Sequence, residues 1–177
     1  MTTQQFVNAL AAIAPDTRRL KEEGFEGIHL ELIQKNYLLQ KKTSSQSRDH
    51  EENSLTTLLK EYQAQYIRFD DYAFYEEIIA VNDLTVFAES SGSILGYTTT
   101  HGEIVEYDRD ELSLLYSCAK DSEHFLEAIY HLLELISKRL QGLVNRDDAE
   151  VNEQYVKKCT ESAGGQKYTR FFRMLIL

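Results

Sequence analysis

The sequence has no tryptophan, one proline, two methionines and two cysteines in 177 residues. With Pro15 as the lone proline, element boundaries have to come from caps, glycines and polar turns. Cys118 and Cys159 are too few for a disulfide framework, and a chain of this length builds a core without one, so two reduced thiols are expected. No apolar run approaches the roughly 18 residues that cross a bilayer. The opening Met1-Thr2-Thr3-Gln4-Gln5 has no basic segment leading into an apolar core. Together these absences point to a cytoplasmic protein. Positive charge is also scarce: 19 Lys and Arg stand against 29 Asp and Glu, a formal net charge of −10. Nucleic acid and anionic membranes both require clustered Lys and Arg, so neither is expected as a partner.

What is present is ordinary for a globular protein, with 42% hydrophobic and 27% charged residues. The charge is unevenly distributed. Residues 1–67 carry nine acids and eight bases, residues 68–123 thirteen acids and three bases, and residues 124–177 seven acids and eight bases. The imbalance therefore sits in the middle third, which favours a basic partner there.

Apolar spacing predicts the elements. Residues 3–14 place Phe6, Leu10, Ile13 and Ala14 on one helical face. Pro15 stops that helix, Asp16 caps a short second one, and Gly24 ends it. Residues 25–40 read as a helix through Leu32, Ile33, Leu38 and Leu39, although Ile28, Leu30 and Leu32 alternate as in a strand. Residues 41–53 hold no apolar side chain and read as a solvated loop. Ser54 is expected to cap a helix carrying Leu55, Leu58, Leu59 and Tyr62 at buried-stripe spacing. The period then changes to two. Strands are expected at 66–70, 74–80, 84–89, 94–99, 103–108 and 112–118, with Leu84, Val86 and Ala88 sharing a face and a tight turn at His101-Gly102. Asp121 or Ser122 opens the strongest helix, reaching Gly142 with Phe125, Ala128, Ile129, Leu132, Leu133, Ile136 and Leu140 in one stripe. Residues 147–163 read as a further helix, broken by Gly164-Gly165, and 168–177 as a strand whose apolar end must be paired or buried. The expected architecture is α+β, with an antiparallel or mixed sheet of about five to six strands packed against helices. Its regions are helices over residues 1–65, a sheet over 66–118, a long helix over 121–141 and a helix–strand unit over 147–177, all within one domain.

No nucleophile elbow, phosphate loop or dinucleotide-binding glycine pattern occurs. The serines of Glu89-Ser90-Ser91-Gly92-Ser93 are ordinary turn residues. Neither cysteine has a neighbouring base, and 108–111 lacks the glycine and alternation of a calcium loop. His124, Glu127, His131 and Glu134 fall on one side of the long helix with spacing that would suit zinc. That side is opposite the apolar stripe, so a solvated polar face is the expected reading. No catalytic residue, cofactor or metal is assigned.

Two features favour partner binding. Thirteen acids folded into one sheet region repel one another, and a cationic partner relieves that repulsion. Tyrosine buries area while keeping a polar tip, which suits interfaces as well as strands. The candidate partner-binding residues are the acids Asp70, Asp71, Glu76, Glu77, Glu106, Asp108, Asp110 and Glu111, with Tyr72, Tyr75 and Tyr107 as anchors.

The run Leu84-Thr-Val-Phe-Ala-Glu89, then Ser93-Ile-Leu-Gly-Tyr97, Gly102-Glu-Ile-Val-Glu-Tyr-Asp108 and Ala119-Lys-Asp-Ser-Glu-His-Phe-Leu-Glu-Ala-Ile129 resembles the SUKH superfamily over about residues 55–141. The family's usual Gly-x-x-Leu-Pro segment is absent, and residues 25–53 and those beyond Asn145 have no counterpart. The resemblance implies an α+β fold and a non-catalytic binding role, usually that of a bacterial immunity protein neutralising a toxin, often a nuclease. Such toxins tend to be basic, which agrees with the acidic middle third. The alternative expectation is a scaffold or regulatory interaction module on the same fold.

Overall fold

The computed structural model describes residues 1–43, 53–81, 83–98 and 102–177. Most of the expected polar loop at 41–53, and His101 of the expected tight turn, lie outside the described residues. Among the described residues the fold is α+β, with four helices, a six-stranded sheet and three further helices. The first group is α1 (Thr3–Ala12), α2 (Thr17–Glu22), α3 (Gly27–Tyr37) and α4 (Ser54–Glu61). The strands are β1 (Arg68–Phe69), β2 (Tyr72–Val81), β3 (Leu84–Glu89), β4 (Ser93–Thr98), β5 (Ile104–Asp108) and β6 (Leu114–Ala119). The last group is α5 (Ser122–Leu140), α6 (Ala149–Ser162) and α7 (Thr169–Ile176). No helix among the described residues is long and apolar enough to cross a membrane.

Local chemistry accounts for most boundaries. Asp16 accepts from the backbone N–H groups of Arg18 and Arg19, and Asp121 from that of His124, so both act as helix N-caps. The cap of α4 lies one residue earlier than expected: Asn53 accepts from Leu55 and Thr56 while Thr56 bonds back, leaving Ser54 as the first helical residue. The helix expected within residues 25–40 is α3, in which Tyr37 is buried and its hydroxyl donates to the Leu133 carbonyl of α5 at 3.0 Å.

The sheet is a plain antiparallel meander in the order β1-β2-β3-β4-β5-β6. One face carries Phe74, Ala88, Leu95, Ile104 and Cys118 into the main core with the helices. A register shift between Val86 and Ala88 corrects the expected β3 pattern. The bulge turns both Phe87 and Ala88 into the core, while Leu84 and Val86 stay on the opposite face. Phe87 then meets Phe74 and Phe125 edge-on, at ring distances of 5.5 and 5.4 Å.

Two expectations are overturned. Residues 168–177 are the last residue of a 3-10 turn over Gln166–Tyr168 and the helix α7, not a strand. Phe171, Phe172, Leu175 and Ile176 recur at the helical i, i+4 spacing, and Arg170 and Arg173 fall on the other side. That face buries Phe171 against Tyr72 and Tyr116, so the apolar tail covers the sheet instead of extending it. The polar side of α5 is a solvated face only at its start, where His124 and Glu127 stay 38% and 45% exposed, because α6 lies over the rest. His131 and Glu134 are only about a quarter exposed, and Lys138 bridges Glu134 and the Tyr155 hydroxyl of α6 at 2.8 and 2.7 Å.

Candidate functional site

The residues expected to bind a partner separate into three places. Tyr72 and Glu106 are inside the protein, each 3% exposed. Glu106 points from β5 to the helix side of the sheet, where its Oε1 accepts from the Tyr72 hydroxyl at 2.5 Å and its Oε2 is buried without a partner. Ser93 lies 3.3 Å from the Tyr72 hydroxyl, and Ser90 is 2.8 Å from Ser93. Burial, with the Glu106 carboxyl as a further cause, raises the Tyr72 phenol far above its ordinary range. Burial likewise raises the Cys118 thiol, with Glu106 next in effect. The phenol and the thiol hold their protons and are closed off from solvent, so the expectation that Glu106 and Tyr72 line an exposed face is corrected. Strand alternation placed Glu106 inward together with Ile104, and a charge count along the sequence carries no such direction.

Asp71 and Asp108 are committed to turns. Asp71 accepts from the Ser91 backbone and hydroxyl, tying the β1–β2 turn to the β3–β4 turn. Asp108 Oδ1 accepts from the N–H groups of Asp110 and Glu111, and its carbonyl accepts from Leu112. Asp70 turns the β1–β2 hairpin in the left-handed region at φ 51°. Tyr75 is half-buried and donates to Glu89, which also pairs with Arg109 at 2.6 Å. Burial, then Glu89, pushes the Tyr75 phenol up to about 12.

The remaining acids surround an apolar surface that the sequence did not reveal. Val86, Ile94 and Val105 are buried, yet they stand outside the main core, on the face away from the helices. Across that face Ile79 pairs with Val86, Val86 with Gly96, and Gly96 with Val105. Leu84 lies so close over Gly96 that a Cβ there would sit 2.7 Å from the leucine Cγ. The absent side chain lets the face dip. A pocket of about 180 Å³ is lined by Val81, Asp83, Leu84, Thr98, Tyr107 and Leu112. The first four come from β2, the turn after it, β3 and β4, and the last two from β5 and the turn after it, so the pocket spans neighbouring strands. Glu76, Glu77, Asp83, Asp110 and Glu111 are all exposed around this region or in the strand and turn that border it. Of the predicted residues, Tyr107 alone lines the pocket. Alternation put Leu84, Val86 and Ala88 on one face, but it does not report which side of the sheet is covered.

The histidines and acids of α5 are engaged separately. His124 contacts the capping Asp121 at 2.7 Å, Glu127 faces the chain's amino terminus at 3.7 Å, and Glu134 holds Lys138. No group of three or more His, Cys, Asp or Glu among the described residues is placed to hold a metal. Compared with known families, curated proteins and solved structures, the chain matches no family model, no curated protein and no solved structure.

Proposed function

We propose that this protein is a non-catalytic binding module that holds a basic protein partner against the helix-free face of its sheet, in an immunity role that masks a toxin. The observation that carries the reading is the exposure of the apolar side chains Ile79 and Leu112 at the sheet face away from the helices, together with the exposed acids of the strand and turn that hold them. Apolar area supplies binding energy when a partner covers it, and charge at the margin steers the approach and rejects acidic competitors. The resemblance to the SUKH superfamily narrows the partner to a toxin domain.

The test is co-expression with the protein encoded beside it, scored by growth rescue and by a complex that survives gel filtration. Replacing Ile79 and Leu112 by Asp should abolish both without unfolding the chain, because both side chains are over two-fifths exposed. Rescue that is indifferent to those changes sinks the assignment of this face.

A further inference from the structure

We infer that the outer edge of β6 is an interface with a second copy of this chain, the two strands pairing antiparallel about a twofold axis. The inference does not rest on the face proposed for the basic partner, because edge-to-edge pairing leaves both faces of the sheet uncovered.

The two edges of the sheet are finished differently. An edge strand presents unpaired N–H and C=O groups, which invite another strand. At β1 that edge is closed from within. The Asn36 side chain of α3 accepts from the Arg68 N–H and donates to the Arg68 carbonyl, both at 3.0 Å, as a neighbouring strand would. At the other edge, β6 pairs with β5 alone. Its second half is shut, because Cys118 and Ala119 are buried and the Lys120 N–H donates to the Ala163 carbonyl. Its first half is open. Leu114 and Leu115 are 56% and 41% exposed. Among the described residues, Leu114 to Ser117 make no backbone–backbone hydrogen bond outside the β5 ladder. Residues 113–119 also hold no charge and no proline, the usual devices that keep an edge from pairing.

Charge selects the occupant. Asp110 and Glu111 are exposed just before β6. Lys120 is exposed just after it, and Arg170 of α7 lies over the Tyr116 ring at 5.2 Å. Their charged neighbours are paired elsewhere: Arg109 with Glu89, Asp121 with His124, Lys167 with Glu103 and Arg173 with Glu153. Asp110, Glu111, Lys120 and Arg170 themselves make no ion pair among the described residues. A neutral strand with acids at its start and bases at its end matches its own copy in the antiparallel sense. The twofold axis brings the acidic end of each copy to the basic end of the other. Parallel pairing would set like charges together, and a purely cationic strand would be repelled at the second end. The contact is short, and the bulge that leaves Leu115 without a partner in β5 bends it. The dimer is therefore weak and forms over about 0.1–1 mM.

Sedimentation velocity and amide hydrogen exchange on the full chain test this. A concentration-dependent dimer is expected, with exchange slowed at Leu114 to Ser117 and unchanged in β1. Leu115→Lys puts a charge on the open edge and should weaken the dimer by about tenfold or more, with the circular dichroism spectrum unchanged. Asp110→Lys with Glu111→Lys should give a monomer, as should Lys120→Glu with Arg170→Glu in a separate chain. Mixed in equal amounts, these two variants should dimerise again, because unlike ends meet in the mixed pair. A variant that had lost its fold would not be rescued in this way. A wild-type chain that stays monomeric at 1 mM overturns the inference. So does a dimer that survives Leu115→Lys, or a mixture that remains monomeric. Protection of β6 that appears only when a basic partner is added also overturns the second copy and gives the edge to a partner strand.

Discussion

Glu106 is where charge counting and packing diverge. It carries one of the thirteen acids of the middle third, yet its one hydrogen bond from Tyr72 is buried and its second oxygen has no partner. A buried carboxyl that is half satisfied adds little to stability, and much depends on the single donor it has. Glu106→Gln keeps an acceptor of the same shape, so its unfolding midpoint should match or exceed that of the wild type. Tyr72→Phe removes the donor and should cost about 1.5–3 kcal/mol in denaturant unfolding. Glu106→Lys should fail to fold, because an ammonium would face Tyr72, Cys118 and the apolar core. A folded Glu106→Lys chain would place this residue back on the surface.

At the scale of elements, α5 decides most of the architecture. Phe125, Leu126, Ala128, Ile129, Leu132, Leu133 and Leu135 are all buried. The helix is packed on two sides, by the sheet through Phe87 and by α6. Leu132→Ala should cost about 2–5 kcal/mol, checked by the shift in chemical-denaturation midpoint. The seam with α6 also carries a pH response. Burial holds the His131 imidazole below its usual range, outweighing the pull of Glu134 toward the charged form. The unfolded chain therefore takes up a proton at His131 before the folded one does. The corresponding stability is present above about pH 6.5 and is lost as pH falls through and below that value. His131→Gln should flatten the decline of the thermal midpoint between about pH 7 and pH 5, within the partial solvent screening of a side chain that is 24% exposed. An equally steep decline in the variant would assign the acid sensitivity to other groups.

For the whole molecule, the consequence of a net charge of −10 gathered on one third of the chain is kinetic. Association with the proposed basic partner should be fast at low salt and should slow as ionic strength rises, because the acids steer the approach over about a Debye length. Reversing Asp110 and Glu111 to Lys should slow association at low salt and flatten its salt dependence, measured by stopped flow, while the dissociation rate changes less. These two are better test positions than Glu106 and Asp108, because one of that pair is buried and the other builds its turn. An association rate unchanged by the Asp110 and Glu111 reversals would move the interface elsewhere.

The sequence by itself determined the elements whose periodicity is long and whose caps are local. The stripe of α5, the caps Asp16 and Asp121, and the change from a period near 3.6 to a period of two at the sheet all follow from neighbouring residues, as does the α+β class. Only the tertiary structure decided the rest. Within residues 168–177 the i, i+4 recurrence of Phe171, Phe172, Leu175 and Ile176 is helical, and what that apolar face covers depended on a sheet surface available to Phe171. The face of Val86 and the inward turn of Phe87 depended on a bulge that pairing between strands creates. Glu106 went inside and Leu112 outside because strand direction and a turn closed by Asp108 fixed where each side chain points. The pocket has no sequence signature at all. Its walls come from four strands and two turns, and a chain read in one dimension does not report which of its apolar residues meet across a curved sheet.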